Sequence, residues 1–297
     1  MVFRLEAGEM LAAGLGRVAA EEIHRARGAL LSEGDPEAEV LEARKSLKKV
    51  RAILRLSRVP LGKRRFRSQN RRYRDLARRL AEQRAGAVGF KTLEGLAQGM
   101  DGSAPLPVLR ASRRRLATRR RRHDDAAVRA EVAKALTGAA PGLEALPLEG
   151  FEAVRLGLAR TYRKGRKQMR RAREAPSAEA FHEWRKRVKD LWYQVRFFGR
   201  AWPQALGSLA DELHHLSDHL GSGHDLDVLE SALQEEARVD PHFDPSPLLM
   251  DLAKARAAKR AAALELGRRL YAEDPEEFVT RVEAYWRAWR ESETPVA

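Results

Sequence analysis

Apolar side chains recur at spacings of three and four residues along most of the chain, which is the pattern of an amphipathic α-helix. The clearest stripe has five members, Val40, Ala43, Leu47, Val50 and Leu54. Strong strand-like alternation is missing, and Ala, Leu, Arg and Glu outnumber the β-branched residues. The pattern therefore predicts an all-α fold.

Glycine and proline clusters divide this pattern into separate helices. In the first half of the chain we expect helices over about 9–32, 37–59 and 65–83, a loop over 98–107 and a basic helix from about Val108. In the second half we expect helices over about 149–174, 177–199, 203–221, 223–237, 248–272 and 275–292, with a loop over 241–247. Gly221-Ser222-Gly223 is expected to break the helix, which leaves Asp225 placed to cap the next one.

Two stretches of the second half repeat stretches of the first half at nearly the same distance. VLEARKSLKKVRAILRL, from Val40, aligns with FHEWRKRVKDLWYQVRF, from Phe181, 141 residues later. RDLARRLAEQRAGAV, from Arg74, aligns with HHLSDHLGSGHDLDV, from His214, 140 residues later. The near-constant offset indicates a duplicated helical unit, with repeats at 1–147 and 148–297.

The charge of the chain is concentrated in two blocks. The chain has 57 Lys and Arg against 42 Asp and Glu, a net charge of +15. Residues 40–122 hold 26 basic and 5 acidic side chains, and residues 155–200 hold 15 and 4. Because crowded like charges repel one another, such segregation indicates a polyanionic partner rather than a merely solvated surface. Arginine dominates the blocks, which favours bidentate contacts to phosphate.

Other features exclude several classes of protein. The 297 residues contain no cysteine, which excludes disulfides, thiolate metal sites and cysteine nucleophiles. No apolar run is long enough to span a membrane, and no signal peptide is visible at the N-terminus. We therefore expect a cytoplasmic protein without a membrane partner.

The repeated helix places a cationic stripe beside its apolar stripe. In the first copy this stripe holds Arg44, Lys48, Arg51 and Arg55, and in the second copy it holds Arg185, Lys189 and Arg196, with His182 and Lys186 alongside. Glutamates at i+4, which would relieve the repulsion, are missing from these stripes. Stacked cations suit a ligand with regularly repeated anionic groups, although carboxylates of neighbouring helices remain an alternative explanation.

Three sequence motifs resemble the CHAD domain, the conserved histidine α-helical domain. They are FHEWRKRVKDLWYQ (181–194), LGSGHDLDVL (220–229) and ARKSLKKVRAILRL (43–56). The resemblance implies two helical bundles related by a pseudo-twofold axis, with a basic central groove or pore that binds inorganic polyphosphate. It also implies association with polyphosphate granules and their proteins. The catalytic triphosphate-tunnel domain that often precedes this family has no counterpart here, so we expect a stand-alone module.

The first repeat departs from the family motif. Leu41 stands where the second repeat has His182, and Arg84-Ala85 stands where Arg-Asp is expected. The cations of the first repeat are retained, so we expect binding to survive without a paired catalytic role for the histidines. The predicted polyphosphate-binding residues are Arg44, Lys45, Lys48, Arg51, Arg55, Arg74, Arg78, Arg163, Arg166, Lys167, His182, Arg185, Lys186, Lys189 and Arg196.

Two other functions stay open at this point. The cluster His214–Asp227 holds weak metal-ligand candidates, namely His215, His219, His224 and Asp225, and a metal-dependent phosphohydrolase is the corresponding alternative. No glutamate base lies between His215 and His219, so we favour a structural role, no enzymatic activity and no cofactor. A basic groove would also accept nucleic acid, but no DNA-reading or RNA-stacking motif is present.

Overall fold

The computed structural model describes residues 3–82, 126–138, 141–146 and 150–293, and within these ranges it contains nine helices and no strand. The helices are α1 (Leu11–Leu31), α2 (Pro36–Leu56), α3 (Arg58–Glu82), α4 (Ala126–Leu136), α5 (Glu152–Glu174), α6 (Ala178–Phe197), α7 (Pro203–Val239), α8 (Ser246–Leu270) and α9 (Pro275–Glu293). The predicted all-α fold is confirmed. The loop predicted at 98–107, the basic helix from Val108 and the boundary between 147 and 148 lie outside the described residues. The predicted duplication stays a prediction.

The two helices of the repeated motif begin at side-chain caps. Before α2, the Asp35 carboxylate accepts a hydrogen bond from the backbone N–H of Glu37 at 3.2 Å, and Pro36 occupies the first helical position. Before α6, the Ser177 hydroxyl accepts from the N–H of Ala180 at 3.1 Å. Both starts agree with the predicted ones to within a residue or two.

The predicted break at Gly221-Ser222-Gly223 is wrong, because α7 runs without interruption from Pro203 to Val239. Asp225 therefore lies inside a helix and caps nothing. A glycine inside a helix costs only about 1 kcal/mol relative to alanine. The buried positions continue on both sides of the break, with Leu220 and Leu226 each at most 4% exposed. Tertiary packing of this stripe outweighs the weak helical preference of two glycines.

The core joins both halves of the chain. α2 packs against α1, α3 and α6, while α6 packs against α5 and α7. At the end of α2 the helix α5 approaches closely, since a Cβ added to Gly157 would lie 2.0 Å from the Leu56 carbonyl oxygen. Only a glycine permits this approach. α2 and α6 are thereby held at the centre of the molecule.

The chain turns shortly after the end of α2. α3 begins at Arg58, directly after α2, and contains Gly62 with a φ of 72°. A positive φ is easily adopted by glycine, so the chain turns here without strain. The start predicted for this helix, residue 65, follows that turn.

No helix in the part of the chain that the structure describes is long and apolar enough to cross a membrane.

Candidate polyanion-binding site

The two helices that carry the repeated sequence pack directly against each other. Gln194 of α6 is buried and donates a hydrogen bond from Nε2 to the Ala52 carbonyl oxygen of α2 at 3.0 Å. On each helix the apolar stripe faces the core, where Leu47 and Trp184 are fully buried. The cations beside these stripes are half-buried or exposed. The contact therefore gathers cations from both halves of the chain.

Four of these cations form the central cation cluster, which consists of Lys45 and Lys48 of α2 with Arg185 and Lys189 of α6. Burial first, and then the charges of Arg185 and Lys45, lower the pKa of Lys189 to about 8. Burial, followed by the charges of Arg185 and of Lys48, also lowers the pKa of His224. Such effects require charges within a short distance of one another. The cluster is thus a compact concentration of positive charge.

Arg185 lies against α7 at a glycine. A Cβ added to Gly221 would lie 2.8 Å from Nη2 of Arg185, so any larger residue would displace the guanidinium. The Nε of Arg185 is buried and has no hydrogen-bond partner within the described residues. Buried donors are normally satisfied. The guanidinium therefore packs against α7 with unused donor capacity.

Two imidazoles border the cluster. The rings of His182 and His224 lie with centroids 4.5 Å apart at an angle of 40°. Burial, together with the neighbouring His224 and Lys186, lowers the pKa of His182 to about 4. Both histidines are therefore neutral at neutral pH, and they can offer hydrogen bonds but no charge. His182 thus lies where it was predicted, beside Arg185, although not as a cation.

Two carboxylates of α7 face the central cation cluster. Asp218 and Asp225 both act to raise the pKa of Lys189. Asp218 also pairs with Nδ1 of His214 at 2.7 Å. Their effect is smaller than that of burial and the neighbouring cations, since the pKa of Lys189 falls overall. The predicted alternative, neutralisation by neighbouring carboxylates, thus applies to this cluster only in part.

A second group of charges, the Asp190 cluster, lies further along the same two helices. Nη1 of Arg55 lies 3.0 Å from Oδ1 of Asp190, and Nη1 of Arg187 lies 2.9 Å from the other oxygen. Burial and the charge of Arg55 lower the pKa of Arg51 to about 10. Arg51 also donates from Nε to the Asn70 side-chain oxygen at 3.2 Å. Arg55 and Arg187 thus share one carboxylate, whose charge also acts on Arg51.

Sequence reasoning missed Arg187 and Asp190. In the alignment of the repeats, Asp190 stands opposite Lys49, so the two copies carry opposite charges at this position. Lys49 pairs instead with the buried Glu22 of α1 at 2.9 Å. The opposite charges of Lys49 and Asp190 within an otherwise matching motif were the sequence signal that could have identified Asp190.

The positive charge continues beyond Asp190 towards α3 and α5. Burial lowers the pKa of Lys164, and the charges of Arg160 and Arg187 lower it further. Burial and the charge of Arg160 also lower the pKa of Arg58. Arg58 was not among the predicted residues. These side chains extend the cationic surface from α2 onto two further helices.

Two of the three predicted residues of α5 pair with carboxylates outside these clusters. Arg163 pairs with Glu276 at 2.7 Å, and Arg166 lies 3.9 Å from Asp274. Both partners belong to the start of α9 and the turn before it. Lys167 is exposed on the same helix. Carboxylates of a neighbouring element therefore pair with Arg163 and Arg166, as the alternative explanation of the cationic stripes supposes.

The remaining predicted cations border the site. Arg44 is half-buried one turn before Lys48, and the charge of Arg74 on α3 acts on Arg51. The guanidinium of Arg196 lies 5.3 Å from the centroid of the Trp192 ring. Two further predicted residues are exposed, namely Lys186, which pairs with Glu183 of its own helix, and Arg78 of α3.

The metal-ligand candidates are spread along α7 rather than gathered. His215 lies 3.8 Å from Glu212, and His219 is half-buried on the following turn. The ring of His224 lies against that of His182. Within the described residues, no group of three or more His, Asp or Glu is arranged to hold a metal ion.

Comparison with known proteins agrees on the fold and on the family. The family model described as the CHAD domain matches residues 13–234. The chain is also similar to the crystal structure of the CHAD domain from the plant Ricinus communis, with a TM-score of 0.58 and 19% sequence identity. That similarity covers 92% of this chain and 95% of the plant chain. No curated protein matches the chain.

Proposed function

This chain belongs to the CHAD domain family, and from that premise we propose that it binds inorganic polyphosphate through the cations of α2 and α6, without catalysing a reaction. The ligand would contact the central cation cluster first and continue along α2 to the Asp190 cluster. Lys48 and Arg51 lie about one turn apart on that helix, which is a spacing of about 5–6 Å between side chains. A linear polymer with a charge on every unit suits such a row.

The central observation for this proposal is the placement of Lys189. Its ammonium is largely buried among Arg185 and Lys45, so its pKa is lowered to about 8 in the free protein. A folded protein stores repulsion of this kind at sites that bind an oppositely charged ligand. A polyanion would relieve the repulsion and accept hydrogen bonds from Arg185. The same cations come from both halves of the chain, which suits a polymer better than a single small anion.

Binding without catalysis is proposed from the chemistry of the two neighbouring histidines. A general base works best with a pKa near the working pH, whereas His182 has a pKa of about 4. The pKa of His224 is also lowered by burial, and its ring lies against that of His182. In a cell, we expect the protein in the cytoplasm, on polyphosphate granules and near the proteins bound there.

A competition titration tests the proposal. Labelled long-chain polyphosphate is bound at physiological salt and challenged with short-chain polyphosphate, duplex DNA and RNA. We expect long polyphosphate to compete best, with affinity that falls as salt rises because bound counterions are released. Equal competition by nucleic acids, charge for charge, would replace the proposal with general polyanion binding. Divalent-metal-dependent release of phosphate that His224→Ala abolishes would replace it with hydrolysis.

A pair of matched variants tests the position of the site. Arg185→Ala/Lys189→Ala removes two charges from the central cation cluster, and we expect a loss of affinity of about tenfold or more. Arg268→Ala/Arg269→Ala removes two exposed charges from α8 and should leave the affinity nearly unchanged. Circular dichroism confirms that both variants remain helical. Equal losses in the two variants would contradict this site.

A further inference from the structure

The distal half of the α7–α8 hairpin has a hydrophobic core of its own. Six residues form this cluster, which is separate from the main core: Leu226, Leu229, Leu233, Phe243, Leu248 and Leu252. The other end of α8 is anchored in the main core, where Gly267 lies against the Trp184 ring. At 1.5 Å per residue, Ser246 lies about 30 Å along the helix from that anchor. The hairpin therefore extends from the helical bundle.

Half-buried ion pairs link the two helices of this extension. Arg260 donates from Nη2 to both oxygens of Asp227, at 2.9 and 3.0 Å. Arg256 contacts the same carboxylate at 3.3 Å and also pairs with Glu230. These contacts link α8 to α7 between the helical bundle and the hairpin tip, which comprises residues 231–251. The tip is therefore carried by a fixed element.

The hairpin tip presents apolar side chains within an acidic rim. Val239 is 71% exposed and Met250 63% exposed, although both are large and apolar. An open concavity of about 700 Å³ also lies at the tip, and Phe243 and Leu249 contribute apolar walls to it. Residues 231–251 hold five acidic side chains and one basic one, although the chain as a whole has a net charge of +15. The matched family model ends at residue 234, before this tip.

The complementary surface lies where α3 and α5 meet. Val59 is 53% exposed and Leu156 is 56% exposed. They lie on neighbouring elements, because Gly157 contacts the end of α2 directly before α3 begins. Arg58 adjoins Val59 in the chain, and burial and the charge of Arg160 on α5 lower the pKa of Arg58. Lys63 and Arg64 follow on α3. Further along α3, a concavity of about 490 Å³ is lined by Lys63, Arg64, Arg67, Ser68 and Arg71.

We propose that the hairpin tip of one molecule docks onto the Val59–Leu156 surface of a second copy of this chain. Apolar side chains would meet at the centre of the contact, and the acidic rim would face the surrounding cations. A contact between two tips would oppose like charges, so the association is head-to-tail. A head-to-tail contact uses different surfaces on the two partners, and it produces rings or open chains rather than a closed two-fold dimer.

Sedimentation velocity over a series of micromolar concentrations tests this proposal. We expect the average mass to rise with concentration beyond that of the monomer, and to fall again as salt screens the rim charges. Val239→Asp should abolish the rise. Leu31→Asp, which alters an apolar side chain that is 56% exposed at the end of α1, is the matched control and should associate like the parent chain. Monomers at every concentration, or association that survives Val239→Asp, would overturn the proposal.

A charge-reversal experiment identifies the partner surface without depending on one variant. Glu235→Lys/Glu236→Lys removes the net negative charge of the tip, since residues 231–251 then hold three acidic and three basic side chains, and Lys63→Glu/Arg64→Glu lowers the positive charge of the α3 surface by four. Each variant alone should associate more weakly than the parent chain, because one of its two surfaces has lost its attraction for the other. A mixture of the two should associate, because the unaltered tip of one variant meets the unaltered docking surface of the other. A mixture that stays monomeric would overturn the pairing of these two surfaces.

Discussion

Arg55 of α2 and Asp190 of α6, 135 residues apart in sequence, form an ion pair with an Nη1–Oδ1 distance of 3.0 Å. Both side chains are mostly removed from water, at 14% and 10% exposure. Asp190 also holds Arg187 at 2.9 Å. One carboxylate of the second half thus fixes the cationic stripe of the first half in position.

Asp190→Asn is expected to destabilise the fold, because it leaves two partly buried arginines without their carboxylate. Removal of one partner of a buried ion pair costs about 3 kcal/mol. The free energy of unfolding in urea measures this loss. Asp75→Asn, which removes the partner of the exposed Arg74, should leave the urea midpoint nearly unchanged. If Asp190→Asn has the stability of the parent chain, the ion pair is not structural.

Gly221→Ala is expected to weaken polyphosphate binding without loss of stability. The new methyl group would lie 2.8 Å from Nη2 of Arg185 and displace it, whereas alanine itself favours the helix by about 1 kcal/mol. We expect a loss of affinity of about fivefold, corresponding to about 1 kcal/mol. At Gly223 an added Cβ meets nothing within 4 Å, so Gly223→Ala is the control and should bind normally. Equal affinities of the two variants would contradict the role of Arg185.

Polyphosphate affinity is expected to fall as the pH rises from 7 to 9. The pKa of Lys189 is lowered to about 8, so the free protein loses this charge above pH 8. A bound polyanion favours the charged form of Lys189. Binding therefore takes up a proton in this pH range, and the affinity falls as the pH rises. Lys189→Arg, whose guanidinium stays protonated, should show a flatter profile in the same titrations. Identical profiles would mean that Lys189 does not contact the ligand.

Arg163→Ala/Arg166→Ala is expected to leave polyphosphate affinity nearly unchanged. Both arginines face carboxylates beside α9, namely Glu276 and Asp274. At physiological salt, exposed charges further apart than about 8 Å are largely screened from one another. The competition titration used for Arg185→Ala/Lys189→Ala measures this directly. A comparable loss in both variants would restore the α5 arginines to the site.

Helix periodicity was enough to predict the fold because the core is built from regular apolar stripes. The stripe from Val40 to Leu54 predicts α2 closely, since every member is buried. α7 shows where local signals fail. Two glycines at 221 and 223 predict an end, but the packing of α7 against α6 and α8 overrides that preference.

The candidate site was predicted less completely than the fold, because charge pairing depends on elements far apart in sequence. The cationic stripes of α2 and α6 are visible in the sequence, and the structure brings Lys45 and Lys189 together. That Arg163 meets Glu276 depends on the position of α9, 113 residues later. Local spacing contains no information on that contact.

The continuity of α7 also has a mechanical consequence. The helix is 37 residues long, about 55 Å from end to end. Gly221, which lies against Arg185, belongs to the same helix that ends at the hairpin tip. Because this helix is continuous, it holds the part beside the central cation cluster and the hairpin tip at a fixed separation. In a row of docked copies, the same helix would set one fixed distance between the central cation cluster of each molecule and that of the next.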